Sequence, residues 1–257
     1  MAIINGTPGD DPDLDGTAEA DEINGFAGND DLDGRDGNDT LIGGNDNDTI
    51  NGEDGNDFVR GGPGSDQLFG GAPAGFVIDD DTRIGDAGND VLFAGTGKDT
   101  LNGGAENDIL VGEDGNDRLS GGPGDDDLRG DEGRDILSGN TGADEFQFFD
   151  RFSVDVFYDT GVGNNRDVIL DFDGTEGDRI RVRDIDADVT NNGPQPGLPD
   201  DAFIFVGVEP VGTGEIGFFE TTNRTIVRAN TDNDAAPEFE IQLDGIGHDL
   251  SADDFLL

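Results

Sequence analysis

Apolar residues recur along the first half of the chain with a period of nine, which is the spacing of neither an amphipathic helix nor an alternating strand. Thirteen nine-residue units follow one another in phase, and the segment 69–83 interrupts them once. The ninth position of every unit is apolar, and these residues are Ile23, Leu32, Leu41, Ile50, Val59, Leu68, Leu92, Leu101, Leu110, Leu119, Leu128, Leu137 and Phe146. A fixed period of this kind predicts a structural unit that stacks on copies of itself.

The polar positions are as regular as the apolar ones. Aspartate occupies the seventh position of all thirteen units, as Asp21, Asp30, Asp39, Asp48, Asp57, Asp66, Asp90, Asp99, Asp108, Asp117, Asp126, Asp135 and Asp144. Glycine occupies the second position in twelve units, with Ala94 as the exception, and the fifth position in ten. Turn formation alone would also accept asparagine or serine at the seventh position. The constant aspartate therefore predicts a metal ligand.

Each unit is predicted to form a six-residue turn followed by a three-residue strand. Glycine and asparagine adopt a positive φ at little cost in the turn, and only the ninth-position side chain points inward. Two units then complete one flattened coil, and stacked coils form two parallel sheets with the apolar residues between them. Aspartates two units apart come to lie one above the other on the same edge.

Stacked aspartates create an electrostatic problem. Two carboxylates about 5 Å apart repel each other by roughly 1 kcal/mol in water and by about 3 kcal/mol at an effective dielectric constant of about 20. A cation between successive coils would reverse the sign of this interaction. Carboxylate and carbonyl oxygens are hard ligands that suit Ca²⁺ at a coordination number of roughly 6 to 8, whereas Mg²⁺ requires a stricter octahedron.

The unit resembles the RTX nonapeptide G-G-x-G-x-D-x-U-x, most closely in residues 61–68 and 121–128. In RTX proteins, the aspartate carboxylate and turn carbonyls of one unit share each Ca²⁺ with the unit two places on. The resemblance implies that the thirteen aspartates bind calcium, roughly 8 to 12 ions in all. It also implies an all-β fold, a calcium-stabilised parallel β-roll (β-solenoid).

Two segments depart from the repeat within residues 1–146, the predicted β-roll domain. Residues 1–14 contain a degenerate unit, which we expect to cover the first coil as an N-terminal cap because an open solenoid end exposes unpaired strand groups. Residues 69–83 are one unit with a six-residue insertion, which we expect to split the metal ladder into two runs. A tolerated insertion is favoured here over a recognition loop around Phe76.

Residues 147–257 form the second predicted domain, a small antiparallel β-sandwich. The period of nine is replaced by alternation, which predicts strands at 146–148, 168–172, 178–182, 202–206, 225–227 and 238–243. Residues 167–172, 177–180, 201–205 and 253–257 resemble the segment that follows the repeats in serralysin-type metalloproteases and other type I secreted proteins. This resemblance implies an uncleaved secretion signal at the C-terminus. A last strand that packs into the sandwich is the alternative interpretation, and both are compatible.

Composition limits the partners and the compartment. With 61 acidic and 14 basic residues the formal charge is −47, which excludes nucleic acid and anionic membranes as electrostatic partners. The N-terminus lacks the pattern of a secretory signal, and no stretch reaches the roughly 20 apolar residues of a membrane span. Calcium sites with few carboxylates are of the weak extracellular type. We therefore expect an extracellular protein, secreted or associated with the cell surface.

The chemistry of an enzyme is not found in the sequence. His248 is the only histidine, so the H-E-x-x-H motif of a serralysin-like zinc protease is missing, and neither a G-x-S-x-G nor a P-loop motif is present. We therefore expect no catalytic activity. Asp232, Asp234 and Glu238 are compatible with either one more calcium site or a plain turn.

The leading hypothesis is an extracellular, non-enzymatic calcium-binding repeat protein with a structural, surface or adhesive role. It would leave the cell unfolded through the type I secretion machinery and fold on calcium outside. Self-association and a cell-surface polysaccharide are further candidate partners. One alternative is an accessory calcium-binding module of a secreted hydrolase or epimerase that lacks its catalytic domain, although Met1 directly before the repeats favours an intact small protein. A self-assembling surface-layer or filament subunit is another.

Overall fold

The computed structural model describes residues 1–70, 80–149, 166–183, 204–208, 215–221, 223–230, 239–244 and 250–256. In these ranges the chain forms short β-strands and one turn of 3-10 helix, Ala252–Asp254. None of the described residues belongs to a helix that is long and apolar enough to cross a membrane. The predicted all-β class is confirmed.

The described strands form two sheets. The first sheet contains, in spatial order, β1 (Ile3–Asn5), β3 (Glu22–Ala27), β5 (Thr40–Asn45), β7 (Phe58–Pro63), β9 (Thr82–Ala87), β11 (Thr100–Ala105), β13 (Arg118–Pro123), β16 (Ile136–Thr141), β18 (Asp167–Ile169), β23 (Phe239–Asp244), β22 (Arg224–Asn230), β21 (Glu215–Glu220) and β20 (Ile204–Val208). The second contains β2 (Leu14–Asp15), β4 (Asp31–Asp33), β6 (Thr49–Asn51), β8 (Gln67–Phe69), β10 (Val91–Gly97), β12 (Ile109–Gly115), β14 (Asp127–Arg129), β17 (Glu145–Phe149), β19 (Arg179–Arg183) and β24 (Phe255–Leu256). The two-residue strand β15 (Glu132–Gly133) pairs with β12 beside this row.

Pairing within the repeats is parallel and repeats once per coil. Ile23 pairs with Leu41 in the first sheet, and Leu32 pairs with Ile50 in the second. The offset between partners is 18 residues, so one coil consists of two nine-residue units, as the sequence predicts. The result is a parallel β-solenoid of about eight turns.

The core is a thin layer between the two sheets. All thirteen ninth-position apolar residues lie in it, and none exposes more than 2% of its surface. A single inward side chain from each unit is therefore enough to fill the space between the sheets. The residues next to the core positions are exposed or partly exposed, as expected for the alternation of a strand, with the exception of the buried Val111.

The turns depend on backbone conformations that favour glycine. At the fifth position Gly55 has a φ of +138°, a value that side-chain-bearing residues rarely adopt. At the third position the chain accepts a positive φ without glycine, as at Glu53 (64°) and Arg35 (74°). The glycine pattern in the sequence predicts the fifth position but not the third.

The C-terminal strands continue the two sheets. Val168 of β18 pairs in parallel with Ile136, and Ile180 of β19 pairs in parallel with Phe146. The stretches 167–169 and 178–180 repeat the aspartate-x-apolar end of the nine-residue unit, so they can dock on the open strand edges of the last coil. The described antiparallel pairing is confined to β21, β22 and β23, and this part is smaller than the predicted sandwich. A division of the chain at residue 146 stays a prediction.

Candidate metal centre

The seventh-position aspartates are buried at the edges of the solenoid. None of the thirteen exposes more than 3% of its surface. Oδ1 of each interior carboxylate accepts a hydrogen bond from the backbone N–H of the aspartate one coil earlier, as from Asp99 to Asp117 over 2.8 Å. Since this contact repeats from coil to coil, the aspartates form ladders.

Two ladders result, one on each edge. The first joins Asp21, Asp39, Asp57, Asp81, Asp99, Asp117, Asp135 and Asp167, with N–Oδ1 distances of 2.6 to 2.8 Å. The second joins Asp30, Asp48, Asp66, Asp90, Asp108, Asp126, Asp144 and Asp178, with distances of 2.7 to 3.1 Å. All thirteen predicted aspartates belong to them.

The second carboxylate oxygen, Oδ2, is different. In twelve of the thirteen aspartates it is buried and has no hydrogen-bond partner among the described residues. Buried carboxylate oxygens are normally paired, because removing an ionised group from water carries a large free-energy penalty. Asp21 is the exception, since its Oδ2 accepts hydrogen bonds of 2.7 Å from both the backbone N–H and the hydroxyl of Thr17.

The Oδ2 atoms face small spaces beside the second-position glycines, where no side chain is present. We call each of these spaces a cradle. A methyl group built on Gly34 would lie 2.7 Å from Asp39 Oδ2 and 2.7 Å from the carbonyl oxygen of Gly52, one coil further on. One built on Gly112 would lie 2.6 Å from Asp117 Oδ2. Glycine keeps this space open, whereas a side chain would fill the point onto which the two oxygens converge.

Burial sets the protonation of these carboxyl groups. Desolvation raises the pKa of Asp57 and Asp117 to about 8, and that of Asp66 and Asp108 to about 7. The pKa of Asp21 is lowered instead, first by the hydrogen bond from the backbone N–H of Ala2 and then by the Thr17 hydroxyl. Interior aspartates have the equivalent backbone hydrogen bond to Oδ1, but their Oδ2 has no hydrogen-bond partner among the described residues, and burial has the largest influence on their pKa.

The arrangement fits a hard divalent cation between successive coils. The cradles of Gly25, Gly34, Gly43, Gly85 and Gly112 combine a buried carboxylate oxygen, which has no hydrogen-bond partner among the described residues, with the backbone carbonyl of the next coil. Both are ligands that Ca²⁺ accepts. Among the described residues no three acidic, histidine or cysteine side chains gather around one point. Backbone carbonyls would therefore have to supply much of the coordination, which the glycine turns make available.

Three aspartates of the ladders were not predicted from the sequence. Asp81 does not fit the sequence pattern for two reasons: the insertion separates it from the start of its unit, and Arg83 stands where the pattern requires an apolar residue. Asp167 and Asp178 follow the last unit, but the triplets that they begin repeat its end. The N–H to Oδ1 ladder runs through Asp81 without interruption, so the expected split does not occur in the hydrogen bonds.

The first coil closes the ladders with threonine. Thr7 donates its hydroxyl to Asp11 Oδ2 over 3.0 Å, in the same way as Thr17 to Asp21. This role of threonine at the third position of a unit was not predicted. The other sequence candidates, Phe76, Asp232, Asp234, Glu238 and His248, lie outside the described residues.

The chain matches one family of known repeat sequences. Residues 13–41, 42–72, 78–110 and 111–146 match the RTX calcium-binding nonapeptide repeat in four copies, which together span half of the chain. Among solved structures, the AlgE6R3 subunit of the mannuronan C5-epimerase of Azotobacter vinelandii is 27% identical, with 66% of this chain and 80% of that chain covered and a TM-score of 0.40. The AlgE6R2 subunit of the same epimerase is 22% identical, with 81% and 92% covered and a TM-score of 0.32.

No curated protein sequence matches the chain. The four repeat matches are sufficient to assign the family, and because these repeats bind calcium they also identify the metal. The chain belongs to the family of RTX calcium-binding nonapeptide repeat proteins, and its cofactor is calcium.

Proposed function

We propose that the chain is a non-catalytic protein that calcium folds outside the cell, where it has a structural, surface or adhesive role. In this proposal the thirteen seventh-position aspartates and the turn carbonyls of successive coils hold the ions. The observation that carries it is the row of twelve buried Oδ2 atoms without a hydrogen-bond partner in the described chain.

The energetic argument concerns the free energy of unfolding without metal. An ionised carboxylate that is buried and unpaired destabilises the folded state, and neighbouring carboxylates in a ladder add repulsion. A divalent cation between two coils offsets both effects, whereas the unfolded chain has no preformed site for it. Binding and folding are therefore coupled.

The compartment follows from the affinity that such cradles provide. Calcium sites with few carboxylate ligands belong to the weak class, with dissociation constants of roughly 10⁻⁴ to 10⁻³ M. They would be empty and the roll unfolded at cytosolic calcium, and filled outside the cell. A chain that is unfolded inside can pass through a type I exporter, so this machinery is the proposed partner in secretion.

A calcium titration of the full chain tests the proposal. We expect circular dichroism to change from a largely disordered spectrum to a β-rich one at millimolar Ca²⁺, cooperatively, with bound ions counted by equilibrium dialysis. Mg²⁺ at the same concentration is the control and should leave the chain largely unfolded, because it dehydrates reluctantly. A spectrum that is β-rich and unchanged after chelation of calcium would overturn the proposal.

The same samples test self-association. Sedimentation velocity with and without calcium distinguishes a folded monomer from an end-to-end assembly of solenoids. A monomer at saturating calcium favours an individual surface protein, and oligomers of increasing size favour a filament subunit.

A further inference from the structure

Arg83 stands at a core position that every complete nine-residue unit fills with an apolar residue. It pairs in register with Val59 on one side and with Leu101 on the other, and its side chain is fully buried. A buried guanidinium requires an acidic partner, because an uncompensated charge strongly destabilises a protein interior. That partner is Asp81, whose Oδ2 accepts a hydrogen bond of 2.7 Å from Arg83 Nη2.

Asp81 is otherwise an ordinary member of its ladder. Its Oδ1 accepts the N–H of Asp57 over 2.6 Å, and its own N–H donates to Asp99 Oδ1 over 2.7 Å. Asp81 differs at Oδ2, the oxygen that in twelve of the repeat aspartates has no hydrogen-bond partner among the described residues. At Asp81 the guanidinium holds it.

The guanidinium also lies at the cradle itself. On this edge, the cradles of Gly34 and Gly112 are each bounded by an aspartate Oδ2 and by a glycine carbonyl of the next coil. Gly70 occupies the same second position in the unit that contains Asp81 and Arg83. A methyl group built on Gly70 would meet the carbonyl oxygen of Ala94 and Arg83 Nη2. A positively charged nitrogen therefore takes a place that faces two oxygens.

We propose that the Arg83 guanidinium takes the place of one calcium ion, so that the chain's own cation neutralises the ladder at this coil and no metal binds there. The inference rests on the proposed function, since it takes the equivalent cradles to be calcium sites. A divalent ion and the guanidinium would compete for the same carboxylate oxygen and would repel each other. Arginine suits this role because it stays charged and its donors are fixed in one plane.

A second departure from the repeat falls on the next coil of the same edge. Ala94 is the only second-position residue among the thirteen units that is not glycine, and it is buried beside this cradle. Two rare substitutions on successive coils thus border the same cradle, directly after the insertion. The hydrogen-bond ladder is continuous through this level, while the row of metal ions is interrupted there.

Calcium stoichiometry measures the proposal directly. Arg83→Leu restores an apolar ninth position and frees Asp81 Oδ2, so it should bind about one more calcium ion per chain than the wild type at saturation. Arg60→Leu is the matched control, because it removes the same charge from an exposed arginine paired with Asp86 and should leave the number of ions unchanged. Equilibrium dialysis with atomic emission provides the count. A folded Arg83→Leu protein that binds the wild-type number of ions, or fewer, overturns the inference.

The double variant Asp81→Asn/Arg83→Leu decides the question if Arg83→Leu does not fold. It removes both buried charges, restores an apolar core residue and keeps the Oδ1 acceptor, so calcium stoichiometry should stay at the wild-type value if no ion binds at this coil. Loss of one ion would overturn the inference. A wild-type chain that binds no calcium would contradict the proposed function itself, whereas wild-type binding with a lower count in the double variant would contradict only the role of Arg83.

Discussion

The backbone N–H of Asp99 donates a hydrogen bond of 2.8 Å to Oδ1 of Asp117, while Oδ2 of the same carboxylate is buried with no hydrogen-bond partner in the described chain. One oxygen of Asp117 therefore joins two coils without metal, and the other faces the cradle beside Gly112. The two oxygens of this carboxylate therefore have different roles: Oδ1 connects the coils, and Oδ2 is available to a metal ion.

Asp117→Asn should weaken calcium binding by about tenfold, a change of about 1.4 kcal/mol, because it removes the charge at Oδ2 and retains the oxygen that accepts the Asp99 N–H. The loss should also reduce the cooperativity of folding, since an interior aspartate contacts coils on both sides. Calcium-binding isotherms and a titration followed by circular dichroism measure both quantities.

Asp21→Asn is the matched comparison at the end of the same ladder. Its Oδ2 already accepts two hydrogen bonds from Thr17, so the substitution should change calcium affinity less than Asp117→Asn does. Equal losses at the two positions would show that the aspartates act independently of their place in the stack.

The repeat could be predicted from the sequence because each of its key positions accepts only a narrow set of residues. A core residue such as Leu119 must be apolar, and a turn residue such as Gly55 must adopt a positive φ, so both leave a periodic trace. Arg83 leaves no such trace, since its partner Asp81 follows an insertion that breaks the phase. Only the register of the neighbouring strands shows that it occupies a core position.

Gly112→Ala should reduce the number of bound calcium ions by about one, because the new methyl group would lie 2.6 Å from both Asp117 Oδ2 and the Gly130 carbonyl oxygen. The fold should persist, since Ala94 is accommodated at the same position of another unit. Gly9→Ala is the control, because a methyl group there would have no neighbour within 4 Å. The prediction is wrong if both variants bind the wild-type number of ions by equilibrium dialysis.

Acid should stabilise the calcium-free roll. Burial raises the pKa of Asp57 and Asp117 to about 8 and that of Asp48 to about 6, against about 3.9 for aspartate in an unfolded chain. Below their folded-state pKa values these groups bind more protons when folded. Their contribution to stability is therefore complete below the unfolded pKa and is lost as the pH rises through 6 to 8.

Circular dichroism in calcium-free buffer measures this dependence. The chain should be more β-rich at a pH of about 5 than at about 8, and a lower calcium concentration should be needed to reach the folding midpoint at the lower pH, because protonation already removes part of the buried charge. Salt at a pH of about 8 is the control, because it screens exposed charges without relieving buried ones. If salt alone produces the same folding as acid, surface repulsion and not burial of the ladder controls the fold.

The C-terminal strands show where prediction from alternation stops. Alternation locates strands such as Arg179–Arg183 and Phe239–Asp244, but it does not determine their partners. Ile180 pairs in parallel with Phe146, so its strand extends the second sheet of the solenoid. The reason is local: an open coil end offers unpaired strand groups, and the triplet Asp178–Ile180 has the pattern that fits them.

Export should depend on the last residues of the chain. Phe255 pairs with Ile180 at the edge of the second sheet, and Asp254 Oδ2 accepts the N–H of Ser251 over 2.7 Å. We propose that these residues act as a secretion signal in the unfolded chain and form the closing strand of the folded one. Deletion of residues 254–257 should therefore retain the protein in cells that carry a type I exporter, while the purified variant still binds calcium through residues 15–146.

Ser251→Ala is the control, because it removes only the serine hydroxyl beside Asp254 and keeps the terminal sequence, so it should be exported like the wild type. Immunoblots of cells and medium measure both. If the deletion variant reaches the medium as efficiently as the Ser251→Ala protein, the C-terminal residues are a closing strand and not a signal.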